Sequence, residues 1–403
     1  MILNFIHHSN VLEKEIPEVL WYFFNPETLV LNDTRLLIIP EVIPHIPFVG
    51  GYDQRILPIL SNTHVVFSEP TNNGTLEYFQ KLGLSQWVNI LGIQNNPDIS
   101  LTENILNTPD FLKTLREKSF KKIINFSIDA RVEKLAKEIG AECIVSSEIS
   151  EKANNKLLLK QYLIETWLPT VEGIFTNNKD IITQYFHKKE HYFFKSPQGV
   201  SGYGFWSNQK NTLDEILHGY NWKELIIEQV IEKESSPSIQ FCIYWAEKKA
   251  IIFGFTDQIL EGGQHYLGNK SPSIYFSTDK EITEECLRQS ESIIQYIIQT
   301  WYVGFWGIDF MISTDKKVYA TEVNARFTGA TYPAMSSFLL TNSLSTSWKY
   351  ITHEGIASTY QEYINISIKE KWEYGLFPLC IAPLEEYGRI QVLTIWELDE
   401  HDV

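Results

Sequence analysis

Between Gly304 and Gly329 the chain reads GFWGIDFMISTDKKVYATEVNARFTG, and this stretch carries the side chains best suited to chemistry. The apolar run from Phe305 to Ile312 predicts a buried strand, Ser313 to Lys317 a polar turn, and Val318 to Val323 a returning strand. On such a hairpin Asp309 and Glu322 lie side by side, and Asn324, two residues past Glu322, falls on the same face. Three oxygen ligands then converge. That set suits a hard divalent cation, which keeps phosphate oxygens and water in its shell, and Arg326 adds a fixed positive fork nearby. A lone acid in a hairpin usually just faces solvent. Here Asp309 interrupts an apolar run, where burial without a cation or donor would cost several kcal/mol, so an idle role is not expected.

A second group of residues speaks of phosphate. His191 to Lys195 predicts a short strand ending in a lysine, followed by SPQGVSGYG over 196–204. Glycines at 199, 202 and 204 let backbone N–H groups turn toward anionic oxygens, while Lys195 supplies a point charge. The G-K-[ST] order of a Walker loop is missing. Upstream, Asn155-Lys156 opens a helix that runs to Glu165 and cannot pass Pro169. A further strand, Glu224 to Glu232, is flanked by glutamates.

These motifs together carry a resemblance. G-x-D-F, a variable turn and E-V-N-x-R-x-T-G resemble the metal-binding end of the ATP-grasp superfamily, and in particular its carboxylate–amine ligases. N-K-x-x-x-K with L-P-T is similar to the entry of that domain, and K-x-P-x-G-x-S-G-x-G to its phosphate-covering loop. The resemblance spans roughly Asn155 to Ser345. It implies that Asp309, Glu322 and Asn324 hold magnesium, or manganese in its place, against ATP. It further implies that Lys156 and Lys195 reach the phosphates, that Ser201, Gly202 and Gly204 lie in the covering loop, and that Arg326 steadies the transferred group. The exit of the 224–232 strand resembles the adenine hinge: Glu228 opens it, the backbones of Gln229 and Ile231 face the base, and Glu234 or Glu232 holds the ribose. His265 and Lys270 lie in a segment similar to one that covers the substrate, where His265 would accept a proton or bind substrate unless it is simply structural.

The elements that must position these groups are readable in outline. Up to about Ser150, the apolar runs Arg35 to Glu41, His64 to Ser68, Lys121 to Ser127 and Glu142 to Ser147 alternate with amphipathic stretches, predicting a parallel sheet. Helices are expected over Thr108–Ser119 and Asp129–Gly140, the second closed by a C-cap glycine. Val49 to Asp53 places two glycines after a strand-like run, read as a tight turn or an anion contact. Ser238–Tyr244 and Ala250–Thr256 predict an antiparallel pair, Asp257 to Pro272 a long polar loop, and Thr283–Thr300 a helix leading into the acid hairpin. A helix-rich passage is expected after Gly329, then short strands from Ile364 onward. The fold class is thus α/β and α+β multidomain. A parallel α/β unit (1–150) precedes an ATP-grasp domain with antiparallel sheets (151–345, lid about 170–230), and a C-terminal extension follows (346–403).

Composition narrows the partners. With 34 basic and 50 acidic residues in 403, the formal net charge of −16 opposes nonspecific attraction to nucleic acid or an anionic membrane. Four scattered cysteines give neither a zinc motif nor a disulfide framework and suit a reducing cytoplasm, and neither a signal sequence nor a membrane span is expected. The reading that follows is an ATP-dependent ligase acting on small-molecule carboxylate and amine substrates, amino acid or peptide, and compatible with a homodimer. A small-molecule kinase on the same scaffold and a nucleotide-binding module without turnover are the alternatives.

Overall fold

The computed structural model describes residues 9–37, 51–71, 73–94, 96, 98–197, 204–219, 224–244, 249–261, 265–354, 375–382 and 388–396. Ser201 and Gly202 lie outside the described residues, as do Val49 and Gly50.

Five short strands form a wholly parallel sheet near the N-terminus: β1 (Thr28–Leu31), β2 (His64–Val66), β3 (Asn89–Leu91), β4 (Lys122–Asn125) and β5 (Glu142–Cys143). Their order is β3-β2-β1-β4-β5, so the chain leaves β1 in one direction and returns on its other side at β4. In sheets of this kind a crevice opens at such a switch point, beyond the carboxyl ends of the strands. The central residues Leu29 and Val30 of β1 and Ile123 and Ile124 of β4 are apolar on both faces and buried, as a sheet covered by helices on both sides requires. The helix Ala130–Ile139 starts where the Asp129 side chain accepts from the N–H groups of Arg131 and Val132, and stops at Gly140 with φ 74°. The helix Pro109–Lys118 likewise matches its expected span.

Among the described residues, the start of the strand expected over Arg35 to Glu41 is not strand: Thr34–Leu37 form a 3-10 turn, and the first strand is the preceding TLVL of β1, while 38–41 lie outside the described residues. Asn32 and Asp33 explain the shift. Asn32 donates to the Asp53 carbonyl at 2.9 Å and the Asp33 N–H donates to Asn125 at 2.8 Å, which ends the strand.

A four-stranded antiparallel sheet follows, β6 (Gly173–Thr176), β7 (Tyr192–Lys195), β8 (Phe205–Ser207) and β9 (Leu225–Gln229), with the order β6-β9-β7-β8. The largest sheet takes β10 (Lys233–Ser235), β11 (Pro237–Tyr244), β12 (Lys249–Glu261), β13 (His265–Ser271), β14 (Gly304–Ser313), β15 (Val318–Asn324), β16 (Ser347–Glu354), β17 (Leu376–Cys380) and β18 (Arg389–Trp396). The C-terminal strands extend this sheet, since β16 pairs with β13 and β18 with β16.

The long polar loop expected over Asp257–Pro272 is mostly strand. Asp257–Glu261 ends β12 and His265–Ser271 forms β13, paired through Asp257↔Lys270 and Gln258↔Asn269. Its polar side chains find partners without leaving the ladder: Asn269 donates to Thr256 at 3.3 Å, and Ser273 donates to Asp257 at 2.6 Å. Polarity here marks a satisfied strand face, not a loop.

The first helix, Ser9–Phe23, joins the parallel unit to the large sheet through aromatic packing. Phe305 on β14 lies with its ring 5.1 Å from Phe23, 6.2 Å from Phe24, 5.8 Å from Phe253 and 5.0 Å from Phe327. Truncating a phenylalanine at the centre of such a cluster leaves a cavity the neighbours cannot close. Phe305→Ala should therefore lower unfolding free energy by about 3–5 kcal/mol in a denaturant titration. A loss below about 1 kcal/mol would show that the cluster is not a structural junction.

Candidate functional site

The cross-strand register sets Asp309 of β14 directly opposite Glu322 of β15, with Asn324 opposite Gly307. Each oxygen of Asp309 has a donor: Ser238 Oγ at 2.7 Å to Oδ1 and Asn324 Nδ2 at 2.9 Å to Oδ2. Burial first, and then the charge of Glu322, push the Asp309 carboxyl up to about 6. Burial also works to raise Glu322. Lys156, whose Nζ sits 2.7 Å from its Oε1, and Arg326 outweigh that effect and hold Glu322 below its ordinary value.

Neighbouring elements hold this pair in place. The helix Lys156–Glu165 begins at Asn155, whose side chain accepts from Leu157 and Leu158 N–H, so Lys156 occupies its first position and reaches across to β15. Asn154, just before it, accepts from the Ala325 N–H at 2.9 Å and from Arg326 Nη1 at 3.0 Å, and donates back to the Ala325 carbonyl at 3.2 Å. Arg326 is thereby fixed where the chain leaves the hairpin. On the other side a polar relay runs from Thr328 to Gln240 (2.5 Å), from Gln240 to Ser238 (2.8 Å) and on to Asp309. Gly307 leaves room for it: a Cβ there would stand 3.0 Å from Gln240 Nε2.

A second cluster adjoins the first. Glu228 of β9 is buried between two lysines, pairing through Oε1 with Lys160 and through Oε2 with Lys195 at the end of β7. Lys160 also donates to the Val171 carbonyl at 2.6 Å. Burial works to raise Glu228, and the two ammonium groups hold it low instead; burial, the larger effect on Lys160, pulls that amine below its ordinary range despite Glu228. A small cavity is lined by Lys156, Lys160, Lys195 and Glu228 together with Thr170 and Thr321. The two ends of the glycine-rich stretch meet beyond β7, where Ser196 N–H donates to the Gly204 carbonyl at 2.8 Å and Gly204 takes φ 74°. Its start is tied to the helix, since the Lys156 N–H donates to the Pro197 carbonyl at 2.9 Å.

The structure thus gathers Lys156, Lys195, Glu228, Asp309, Glu322, Asn324 and Arg326. Other candidates stand differently. Gln229 N–H donates to the Glu172 carbonyl at 3.2 Å, and Ile231 follows the end of β9. Glu234, on β10, accepts from Tyr275 at 3.0 Å and from Lys316 at 2.6 Å, while the Glu232 carbonyl accepts from Thr314 at 3.1 Å. His265 opens β13, and Lys270 on the same strand lies 3.7 Å from Asp257. The sequence reading missed Lys160 and the relay of Ser238, Gln240 and Thr328. The signal for Lys160 was present: it interrupts the apolar positions Leu159 and Leu163, both buried, and so had to point into the protein.

The donor set fits a hard cation. Two carboxylates and an amide face one another at the hairpin, without sulfur or imidazole among the contacts described, and their mutual repulsion is what a divalent ion would relieve. The pH dependence follows from Asp309. Its folded value lies above the ordinary 3.8, so the folded state binds the extra proton; stability is present below 3.8 and is lost as pH rises through about 6. Asp309→Asn should therefore raise the melting temperature at pH 7.5 in metal-free buffer and leave it nearly unchanged at pH 4, because the new amide oxygen still accepts from Ser238 and its NH2 group donates to Asn324 once the Asn324 amide turns over. A variant less stable than the parent at pH 7.5 would contradict this.

Similarity to known proteins agrees with the geometry. The family model described as the ATP-grasp domain matches residues 153–330. Among solved structures, N5-carboxyaminoimidazole synthetase from Staphylococcus aureus superposes with a TM-score of 0.59 at 13% identity, covering 94% of this chain and 95% of that one. A biotin carboxylase complex from Campylobacter jejuni gives 0.58 at 12% identity, covering 93% and 88%. The carboxyaminoimidazole ribonucleotide synthase of Aspergillus clavatus, complexed with ATP, gives 0.55 at 13%, covering 93% and 94%. At these identities the likeness is one of fold, and it extends over the parallel sheet as well as the antiparallel ones. The chain therefore carries an ATP-grasp domain, and both clusters of charged residues, the hairpin acids and the lysines around Glu228, lie within it.

Proposed function

We propose that this protein is an ATP-dependent ligase that joins a small-molecule carboxylate, from an amino acid or peptide, to an amine through an acyl-phosphate. The observation that carries the reading is the adjacency of the two clusters. Lys156 lines the lysine cavity and at the same time pairs with Glu322 across from Asp309, so a phosphate chain held by lysines would end at the acid pair. The structural relative from Aspergillus clavatus was crystallised with ATP, which supports a nucleotide in the corresponding cleft.

Lys160 and Lys195 would bind phosphate oxygens as point charges, with Glu228 keeping both ammonium groups aimed before nucleotide arrives. Ser201, Gly202 and Gly204 would cover the phosphates, the backbones of Gln229 and Ile231 the base, and Glu234 the ribose. Asp309, Glu322 and Asn324 would hold magnesium, which when bound neutralises charge on the phosphates. A carboxylate oxygen of the substrate attacks the terminal phosphorus and ADP leaves. The amine then attacks the acyl carbon and phosphate departs with both electrons of the broken C–O bond. Arg326, fixed by Asn154, would steady the oxyanion at that carbon, and His265 would take the proton lost by the amine. No protein nucleophile enters the scheme.

The test is an incubation with ATP, magnesium and pools of amino acids and short peptides, following ADP, phosphate and product mass. A ligase releases ADP and phosphate in equal amounts and gives a product lighter by one water than its two substrates. Hydroxylamine should trap the intermediate as a hydroxamate. A stable phosphorylated product without free phosphate would instead establish a kinase, and release of AMP and pyrophosphate would overturn both. Glu322→Gln should reduce kcat at saturating magnesium by at least a factor on the order of a hundred. Lys195→Ala should raise the KM for ATP, read from initial rates, because Glu228 is left facing Lys160 alone.

A further inference from the structure

At the switch point of the parallel sheet, beyond the hairpin acids, two buried donors lack acceptors. Arg55, on the 3-10 helix Tyr52–Ile59, lays its guanidinium 5.3 Å from the Phe126 ring centroid and 4.5 Å from that of Tyr332, yet its Nε makes no hydrogen bond. Asn125, at the carboxyl end of β4, is 6% exposed; its Oδ1 accepts from the N–H groups of Asp33 and Phe126, while Nδ2 has no partner. Asn125 and Phe126 share a small cavity with Arg326. Phe327, next to Arg326, stacks on Tyr332 at 5.8 Å, Tyr332 faces Arg55, and the like charges of the two arginines interact. Neither arginine forms an ion pair among the described residues. Arg326 has Glu322 and Asp309 nearby, but the Arg55 Nε–H and the Asn125 amide N–H are buried donors without acceptors, which is costly.

The remaining walls are tyrosines. Tyr332, whose hydroxyl is held by Asn32 at 2.8 Å, and Tyr266 both lie within the electrostatic reach of Arg55, and Gly329 leaves space for Tyr266: a Cβ there would stand 2.2 Å from its hydroxyl oxygen. The charges nearest Arg326 are Glu322 and Asp309, whereas those facing Arg55 are phenols and the Cys380 thiol. Arg326 therefore serves the phosphoryl end and Arg55 the far end.

We propose that Arg55 and the Asn125 amide bind a carboxylate on the amine substrate, which makes that substrate a free amino acid and Arg55 a specificity residue. This rests on the ligase reading for the word amine, but the anion site stands on its own geometry. The guanidinium over the Phe126 ring and the unpartnered amide of the residue before it suit a carboxylate, and the aromatic walls suit the apolar part of an amino acid.

The experiment compares amino acids with their α-amides as substrates, with ATP and magnesium present and ADP as the readout. The free acids should exceed their amides in kcat/KM by a factor on the order of a hundred, as a site with buried donors rejects an analogue that cannot accept from them. Arg55→Gln should bring that ratio close to one, mainly through KM for the acid, with the KM for ATP unchanged. Asn125→Asp should lower or invert the ratio by adding negative charge, and Arg55→Lys should restore part of it. Because the readout is a ratio, partial loss of folded protein does not imitate it. An unchanged ratio in Arg55→Gln, or no acid outperforming its amide, overturns the proposal. Product identity in the same reactions judges the ligase reading separately: a phosphorylated amino acid would remove that reading while an Arg55-dependent acid preference kept the anion site.

Discussion

Two carboxylates facing each other across one β-ladder form the constraint to which the rest of the site answers. Asp309 and Glu322 cannot both be ionised in a low-dielectric setting without compensation, and β-pairing leaves no freedom to move them apart. The protein compensates unequally. Glu322 receives Lys156 and stays charged, whereas Asp309 receives only neutral donors from Ser238 and Asn324 and is pushed toward its protonated form. The deficit is thus concentrated on one side chain, and a divalent ion would relieve it there.

What the sequence disclosed of this arrangement follows from how local the determinants are. Strand periodicity with a short turn fixes register, so the pairing of Asp309 with Glu322 and the position of Asn324 could be read directly. Helix caps are equally local, which is why Asp129 and Gly140 bound the helix they were expected to bound. Short strands are not. TLVL of β1 and the three residues of β3 are too short for a pattern, and only the neighbouring strands make them strands. The region 257–271 was misread because its polar residues are satisfied by cross-strand partners that no local window contains.

The charged residues divide in the same way. Lys156 and Lys195 stand at element ends, where motifs place them, but the partner of each is remote in sequence: Glu322 for one and Glu228 for the other. Lys160, the second lysine of N-K-x-x-x-K, has no role legible in the sequence, because its partner Glu228 comes from β9. Arg55 and Asn125 gave no sequence signal, since neither belongs to a motif and their placement depends on β1 and β4 lying side by side and on the packing of Tyr332 against Arg55. Motif reading finds the groups common to a chemistry; it does not find the groups that choose a substrate, because those are assembled by topology.

A net charge of −16 makes the local concentration of cations more telling. Lys156, Lys160, Lys195, Arg326 and Arg55 occur on four different segments of an acidic chain, and each is partly or fully withdrawn from solvent. Desolvating them is unfavourable on its own, and the internal acids Glu228 and Glu322 offset only part of it. Lys156 links the two halves of the arrangement, bonded through its N–H to the loop at Pro197 and through its ammonium to Glu322. An anionic ligand that drew Lys156 toward the lysine cavity would loosen its hold on Glu322. With that counter-charge withdrawn, Glu322 and Asp309 would bind a cation more strongly, so nucleotide and metal should each favour the arrival of the other through this one side chain.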